Sequence, residues 1–210
     1  MFKRQRLSGK NRRNRQQRQL GDNCPLIYAL KGKEGLFTDL SSIKKLRTSF
    51  EMIINHIAES EHNGYDLIVS MPSSYNISHM IAKRLASKFK APHEANILRK
   101  ITVDEAFRLL DRADVSVEET KSIDFRIKVQ AKEVGLYGNF SLKGIPASLR
   151  NVLPPLVLDS PPTLHYQPLR VLLVDDLIAS GTTLATAVKI ISQQYPYADI
   201  HAVCLFSSIG

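Results

Sequence analysis

The sequence predicts an α/β protein built on a mainly parallel sheet flanked by helices. Three observations lead there. The segments "SIKKLRTSFEMIINHIAE", "YDLIVSM" and "NISHMIAKRLASKF" follow one another as helix, strand and helix, the order from which parallel sheets are wound. The run "RVLLVDD" is apolar until it ends in two adjacent carboxylates, Asp175 and Asp176, and "LIASGTTLATAV" then supplies a small-residue turn and a helix. Finally, 210 residues at 43% hydrophobic suffice for one such core and fall short of two of ordinary size.

Taken in order, the chain opens with a basic tail. Residues 1–21 carry Lys3, Arg4, Arg6, Lys10, Arg12, Arg13, Arg15 and Arg18 and no acid, so of the net charge of +9 only +1 belongs to residues 22–210. A segment this polar cannot bury enough surface to offset its ordering entropy, and is expected to be disordered alone and to bind a polyanion such as a nucleic acid. Ile43, Leu46, Phe50, Ile53, Ile54 and Ile57 then fall on one face of a helix. Tyr65 to Met71 reads as a buried strand closed by Pro72, and Ile77, Met80, Ile81, Leu85 and Phe89 form the apolar stripe of the next helix. "ANILRKIT" is a short strand, and "TVDE", Thr102 to Glu105, is a capping box opening a helix through Leu110.

Residues 122–142, "SIDFRIKVQAKEVGLYGNFSL", alternate in patches and suggest a β-hairpin or irregular excursion, which puts Arg126 and Lys128 on a strand. Six of the ten prolines lie in 146–168, the mark of an extended, exposed connection without regular structure. A strand over 170–175, a helix with Leu184, Ala187, Val188 and Ile191 on one face, and a last strand "DIHAVCLF" complete the chain. No internal repeat is visible.

Several classes are disfavoured by composition. Cys24 and Cys204 are far apart and belong to no C-x-x-C pair, and the six histidines show no ligand spacing, so neither a zinc ribbon nor a disulfide framework is suggested. A secretory signal needs an apolar core of about 7–15 residues and a membrane span about 20; the expectation is a soluble, cytoplasmic protein with no membrane partner.

The acid pair needs a guest, because vicinal like charges at a strand end repel. In open α/β sheets ligands sit outside the carboxyl ends of the strands. There the backbone N–H groups from Ala179 to Thr183, aided by the helix dipole, can face one anion. The hydroxyls of Ser180, Thr182 and Thr183 add donors, and Gly181 allows close backbone approach. A phosphate in the turn, with vicinal hydroxyls or a divalent cation at Asp175 and Asp176, makes a sugar phosphate the fitting ligand. A receiver domain of a response regulator also opens on such a run, but only 34 residues follow Asp176, too few for its remaining strand and lysine. The plain structural reading is an acid pair capping the next helix.

"VLLVDDLIASGTT" resembles the motif of type I phosphoribosyltransferases that binds phosphoribosyl pyrophosphate (PRPP). The resemblance implies that fold, with a small hood over the sheet. It assigns the ribose 2′- and 3′-hydroxyls to Asp175 and Asp176 and the 5-phosphate to Ala179, Ser180, Gly181, Thr182 and Thr183. Ala179 departs from the usual threonine. "CPLIYALKGKEG", "YDLIVSMP", the "YN" at Tyr75 and Asn76, "LRKIT" and "GLYGNFSL" resemble, in order, segments of ComF-like phosphoribosyltransferases over residues 24–208. The cysteine-rich segment that often precedes that core is absent, as are the arginines usual before its "FN". By the resemblance Ser70, Ser73, Ser74, Tyr75 and Asn76 would hold pyrophosphate. Mg²⁺ at Asp175 and Asp176, with Arg99 and Lys100, would supply the missing charge; Arg126, Lys128 and Lys31 are further candidates.

The domain plan that follows is a tail over 1–21 and a phosphoribosyltransferase-like domain over 22–210, with a hood or insertion at roughly 99–168. Two functions are expected. One is a Mg²⁺-dependent transferase that displaces pyrophosphate from PRPP with a nitrogen nucleophile, acting with or on nucleic acid in a DNA-uptake or phage-defence setting. The other is a binding module of the same fold, nucleotide-sensing or nucleic-acid-binding, with weak catalysis. A homo-oligomer or a protein and nucleic-acid complex is compatible with either.

Overall fold

The computed structural model describes residues 2–3, 25–32, 35–161, 163–178 and 181–207. The main sheet has the order β1-β7-β6-β2-β3, from β1 (Phe2–Lys3), β2 (Leu67–Ser70), β3 (His93–Glu94), β6 (Arg170–Ile178) and β7 (Asp199–Ser207). All its neighbours are parallel. A second, antiparallel ribbon pairs β4 (Leu98–Lys100) with β5 (Leu156–Leu158). The helices are α1 (Pro25–Leu30), α2 (Leu40–Ser60), α3 (Ile77–Phe89), α4 (Val103–Asp111), α5 (Val117–Val134) and α6 (Thr182–Gln194). The α/β class expected from the sequence is the class observed.

Side chains alternate across the strands and so divide the interior into layers. On one face Ile68, Leu172 and Val174 pack with Ile81, Ala82 and Leu85 of α3, Ile54 of α2 and Ile27 of α1. On the other, Leu67, Val69, Val171 and Leu173 meet Leu184, Ala187 and Ile191 of α6 and Leu98 and Leu156 of the ribbon. Both faces are covered, which is why β2 and the first half of β6 read as unbroken apolar runs. A third core lies wholly in the expected hood: Ile101, Val103, Ala106 and Leu110 close on Ile123 and Ile127 of α5 and on Phe140, Ile145, Leu149 and Leu153.

Thr102 and Glu105 form the capping box that the sequence announces, each side chain bonding the other's backbone N–H. Residues 122–142 are a correction. No hairpin forms; most of the segment continues α5, which begins at a second capping box, Ser116 with Glu119. Ile123 and Ile127, four apart, are fully buried, while Phe125 and Val129 are 63% and 39% exposed; the apparent alternation mixed a buried helical stripe with an exposed one. Arg126 and Lys128 are thus helical. Residues 146–168 also hold more than an open connection, namely a 3₁₀ turn at Ala147–Leu149 and strand β5. Met80, expected on the buried stripe of α3, is 60% exposed. No helix among the described residues is long and apolar enough to cross a membrane.

A helical α5 sorts its side chains in a way a strand would not. Ile127→Ala is expected to destabilise by about 2–5 kcal/mol through lost burial and a residual cavity. Phe125→Ala, two residues away, should stay within about 0.5 kcal/mol. Urea midpoints of the two variants check this; comparable losses would place both side chains on one buried strand face.

Candidate functional site

The strand order fixes where a ligand can sit. From β2 the chain crosses through α3 to β3 on one side, and from β6 through α6 to β7 on the other. The two helices lie on opposite faces. Between the carboxyl ends of β2 and β6 the winding reverses and leaves a crevice that neither crossover fills.

The acid pair stands at that crevice. Ser70 pairs with Val174 as the last residue of β2 in register, and Met71 N–H donates to the Val174 carbonyl at 2.8 Å. Asp175 and Asp176 therefore overhang the end of β2. Strand alternation sends them to opposite faces, Asp175 with Val171 and Leu173, Asp176 with Leu172 and Val174. This eases their repulsion, and a diol held by both must lie across the strand end. Asp176 N–H donates to Asp175 Oδ1 at 2.8 Å. Burial, and then the neighbouring Asp176, push the Asp175 carboxyl up to about 6; Lys31 and Lys100 act against the rise.

Asp176 is only 5% exposed and forms an ion pair with Lys31, which follows α1. The Lys31 ammonium also lies 5.6 Å from the centre of the Tyr75 ring. One lysine thus ties the strand end to the loop after β2. The turn after β6 ends at Gly181, whose φ of +76° is left-handed, a conformation that favours glycine. Thr182 and Thr183 open α6 behind it. Ala179 and Ser180 fall outside the described residues, as do Arg4, Arg6, Lys10, Arg12, Arg13, Arg15 and Arg18; Lys3 is in β1.

A cleft of about 420 Å³ opens beside the crevice, and Ser70, Ser73, Tyr75 and Asn76 line it with Arg99 and Lys100. The loop after β2 and the start of the hood region are thereby brought together, as the sequence proposes. Ser74 is exposed and is not part of that lining, nor are Arg126 and Lys128; Lys128 pairs with Asp124 on its own helix at 2.6 Å. Ser73 Oγ accepts from Tyr75 N–H at 3.2 Å, and the Asn76 side chain makes no capping bond at the start of α3. Arg99 is heavily engaged. Its guanidinium donates to both Glu105 oxygens at 2.7 Å and its Nε lies 3.2 Å from Asp159. Glu105 is held down at about 2, chiefly by Arg99.

Sequence reasoning missed two histidines here. His79 lines the cleft from the first turn of α3. Its ring lies 4.9 Å from that of His93, whose Nε2 is 3.1 Å from Ser70 Oγ. The only sequence signal was the place of His79 three residues beyond Asn76, in the turn that faces any loop-bound anion.

The raised Asp175 carboxyl couples folding to pH. A carboxyl that titrates higher in the folded chain than its ordinary 3.8 makes ionisation destabilising. The cost is absent below about pH 4 and fully present above about pH 6. Asp175→Asn is therefore expected to stabilise the ligand-free protein by about 1–3 kcal/mol near pH 7.5 and to leave it unchanged near pH 4. Urea unfolding at the two pH values measures the difference.

No family model matches the chain, and no curated protein matches it. Among solved structures it is similar to adenine phosphoribosyltransferase from Leishmania tarentolae, at 13% identity and a TM-score of 0.44, over 81% of this chain and 63% of that one. The adenine phosphoribosyltransferase from Leishmania donovani gives 14% identity and a TM-score of 0.44, over 81% of this chain and 58% of that one. The chain thus spans less than two thirds of either structure, and a likeness of this degree leaves the reading of the site to its own residues.

Proposed function

We propose that the chain is a type I phosphoribosyltransferase-like protein that binds PRPP with Mg²⁺ at the β2/β6 crevice and displaces its pyrophosphate from C1 with a nitrogen nucleophile. The observation that carries this reading is the joint position of the two motif halves. The acids Asp175 and Asp176 overhang the end of β2, where the loop of Ser70 to Asn76 begins, at the reversal of strand order.

In this reading Asp175 and Asp176 accept hydrogen bonds from the ribose hydroxyls, and the 179–183 turn holds the 5-phosphate on backbone N–H groups and on the hydroxyls of Ser180, Thr182 and Thr183. Ser70, Ser73, Tyr75 and Asn76 face the pyrophosphate, with Lys100 across the cleft, and Ser74 stays outside that lining. Mg²⁺ is a hard cation that takes one or two carboxylates and completes its shell with phosphate and water. The Asp175 carboxyl, raised by burial and then by the neighbouring Asp176 charge, fits it. When bound, the ion neutralises charge on the departing pyrophosphate. The protein's own part is to fix the ribose and present donors where charge develops.

The binding-module reading draws on one observation. Arg99, expected to replace the missing loop arginines, is committed to Glu105 and Asp159, which leaves less positive charge for a leaving group. In both readings the tail of residues 1–21 holds nucleic acid, in a DNA-uptake or phage-defence setting as the ComF-like resemblance suggests.

Saturating PRPP with Mg²⁺ should raise the melting temperature by mass action, and the Asp175→Asn, Asp176→Asn double variant should lose the shift. Thr183→Val should weaken PRPP binding by about 1–3 kcal/mol through an unpaired phosphate oxygen. A wild-type melting curve unmoved by PRPP rules the sugar-phosphate reading out. Binding without pyrophosphate release across free bases, nucleotides and nucleic acids selects the module.

Nucleic-acid affinity should fall with salt at a log–log slope of about −4 to −7 if most of the eight tail cations meet phosphates. Deleting residues 1–21 should remove it and spare the PRPP shift. Undiminished binding by the truncated chain would move the contact surface to the domain.

A further inference from the structure

Beside the cleft stands a pair of imidazoles that the proposed reaction does not use. His79 lines it from α3, and His93 stands on β3 behind, its Nε2 on Ser70 Oγ. The rings are 4.9 Å apart and tilted by 49°. From these contacts, and resting on the reading of Ser70 to Asn76 as the diphosphate-binding loop, we infer that His79 and His93 form a proton-coupled subsite. Its ligand is a multiply charged phosphate, and the histidines take up a proton as that anion binds.

In the ligand-free cleft every group facing the pair makes a cation unwelcome. Each imidazole faces the other, Lys83 stands on the same helix, and Arg99 and Lys100 occupy the opposite wall. The carboxylates within reach are spoken for: Asp159 pairs with Arg99, and Glu94 accepts from the N–H and hydroxyl of Thr163. Burial acts in the same direction, and His93 is held below its ordinary value by burial first, then by His79 and Lys83. Near neutral pH His93 is therefore uncharged, and its Nε2 and Ser70 Oγ share a proton.

A diphosphate in the cleft reverses the sign of the field. Placed among Ser73, Asn76 and Lys100, it makes a positive charge on the imidazole pair favourable, and its binding draws a proton from solvent. The loop that lacks arginines thus acquires its charge on demand. Proton uptake and anion affinity are linked reciprocally: for each proton taken up, affinity rises by up to about tenfold per unit fall in pH.

The test uses inorganic pyrophosphate on the full chain, by isothermal titration at pH 6.5 and 7.5 in two buffers of different ionisation enthalpy. Wild type, His79→Asn and His93→Gln are compared, with melting curves to confirm folding. Titration of the pyrophosphate itself is common to all three proteins and cancels in the difference. The expected result is about fivefold tighter binding at the lower pH in wild type relative to His79→Asn, with a buffer-dependent part of the heat that is larger in wild type than in either variant. The histidine Cε1–H resonances should move to higher apparent pKa on adding pyrophosphate. Pyrophosphate bound with the same pH dependence in wild type and His79→Asn overturns the inference and leaves the PRPP reading standing. A PRPP thermal shift without any pyrophosphate binding overturns it too. If neither ligand binds, both readings fall together.

Discussion

The register of β6 on β2 is the constraint from which the rest follows. Four parallel pairs, Leu67 with Val171 through Ser70 with Val174, set it, and its amino end is locked by side chains. Asp66 Oδ2 accepts from the N–H groups of Leu169 and Arg170, both at 2.9 Å. The Arg170 guanidinium in turn reaches Glu61 and the Gly64 carbonyl and lies 4.9 Å from the centre of the Tyr65 ring. A slip of one residue would send every side chain of β6 to the opposite layer. It would also change which carboxylate meets Lys31. The ligand end of the sheet is thus aligned by contacts made at its far end.

The cations of the site are arranged as struts. Lys31 neutralises the buried Asp176 and leans on Tyr75; Arg99 joins β4 to the capping box of α4 and to Asp159. Each satisfies a carboxylate that the fold holds in place, and an unpaired buried charge would be the costly alternative. Asp175 has no such strut, and burial, then the neighbouring Asp176, raises its proton affinity. At the crevice, one carboxylate is paired with a lysine and the other is set by its partial burial, while across the cleft Arg99 is already engaged.

What could be read from sequence was what is local. The thirteen residues from Val171 to Thr183 carry strand, acids, turn and helix start in one piece, and the Thr102 capping box is a four-residue signal. α5 was misread because Phe125, Ile127 and Val129 fit period two as well as Ile123 and Ile127 fit period four, and only burial against Leu110 and Phe140 decides between them. The capping pattern of Ser116 and Glu119 favoured the helix and went unused. β3 is two residues long, and its place beside β2 leaves no periodic trace. Lys31 meets Asp176 from the far end of the chain, and His79 meets His93 across the crossover from α3 to β3, so neither contact has a periodic pattern to find.

The hood region's separate interior has a consequence for how such a chain can change over time. Its ten buried residues pack on one another and share no member with the two layers of the sheet. The β4–β5 ribbon is the seam, giving Leu98 and Leu156 to the sheet side while Val157 packs on the other. A lobe with its own filling can be reshaped, lengthened or exchanged without sending strain into the strands that hold the acids. Selection can then act on what enters the cleft and leave the strand ends that carry the acids as they are, so that the two regions accumulate substitutions on different clocks.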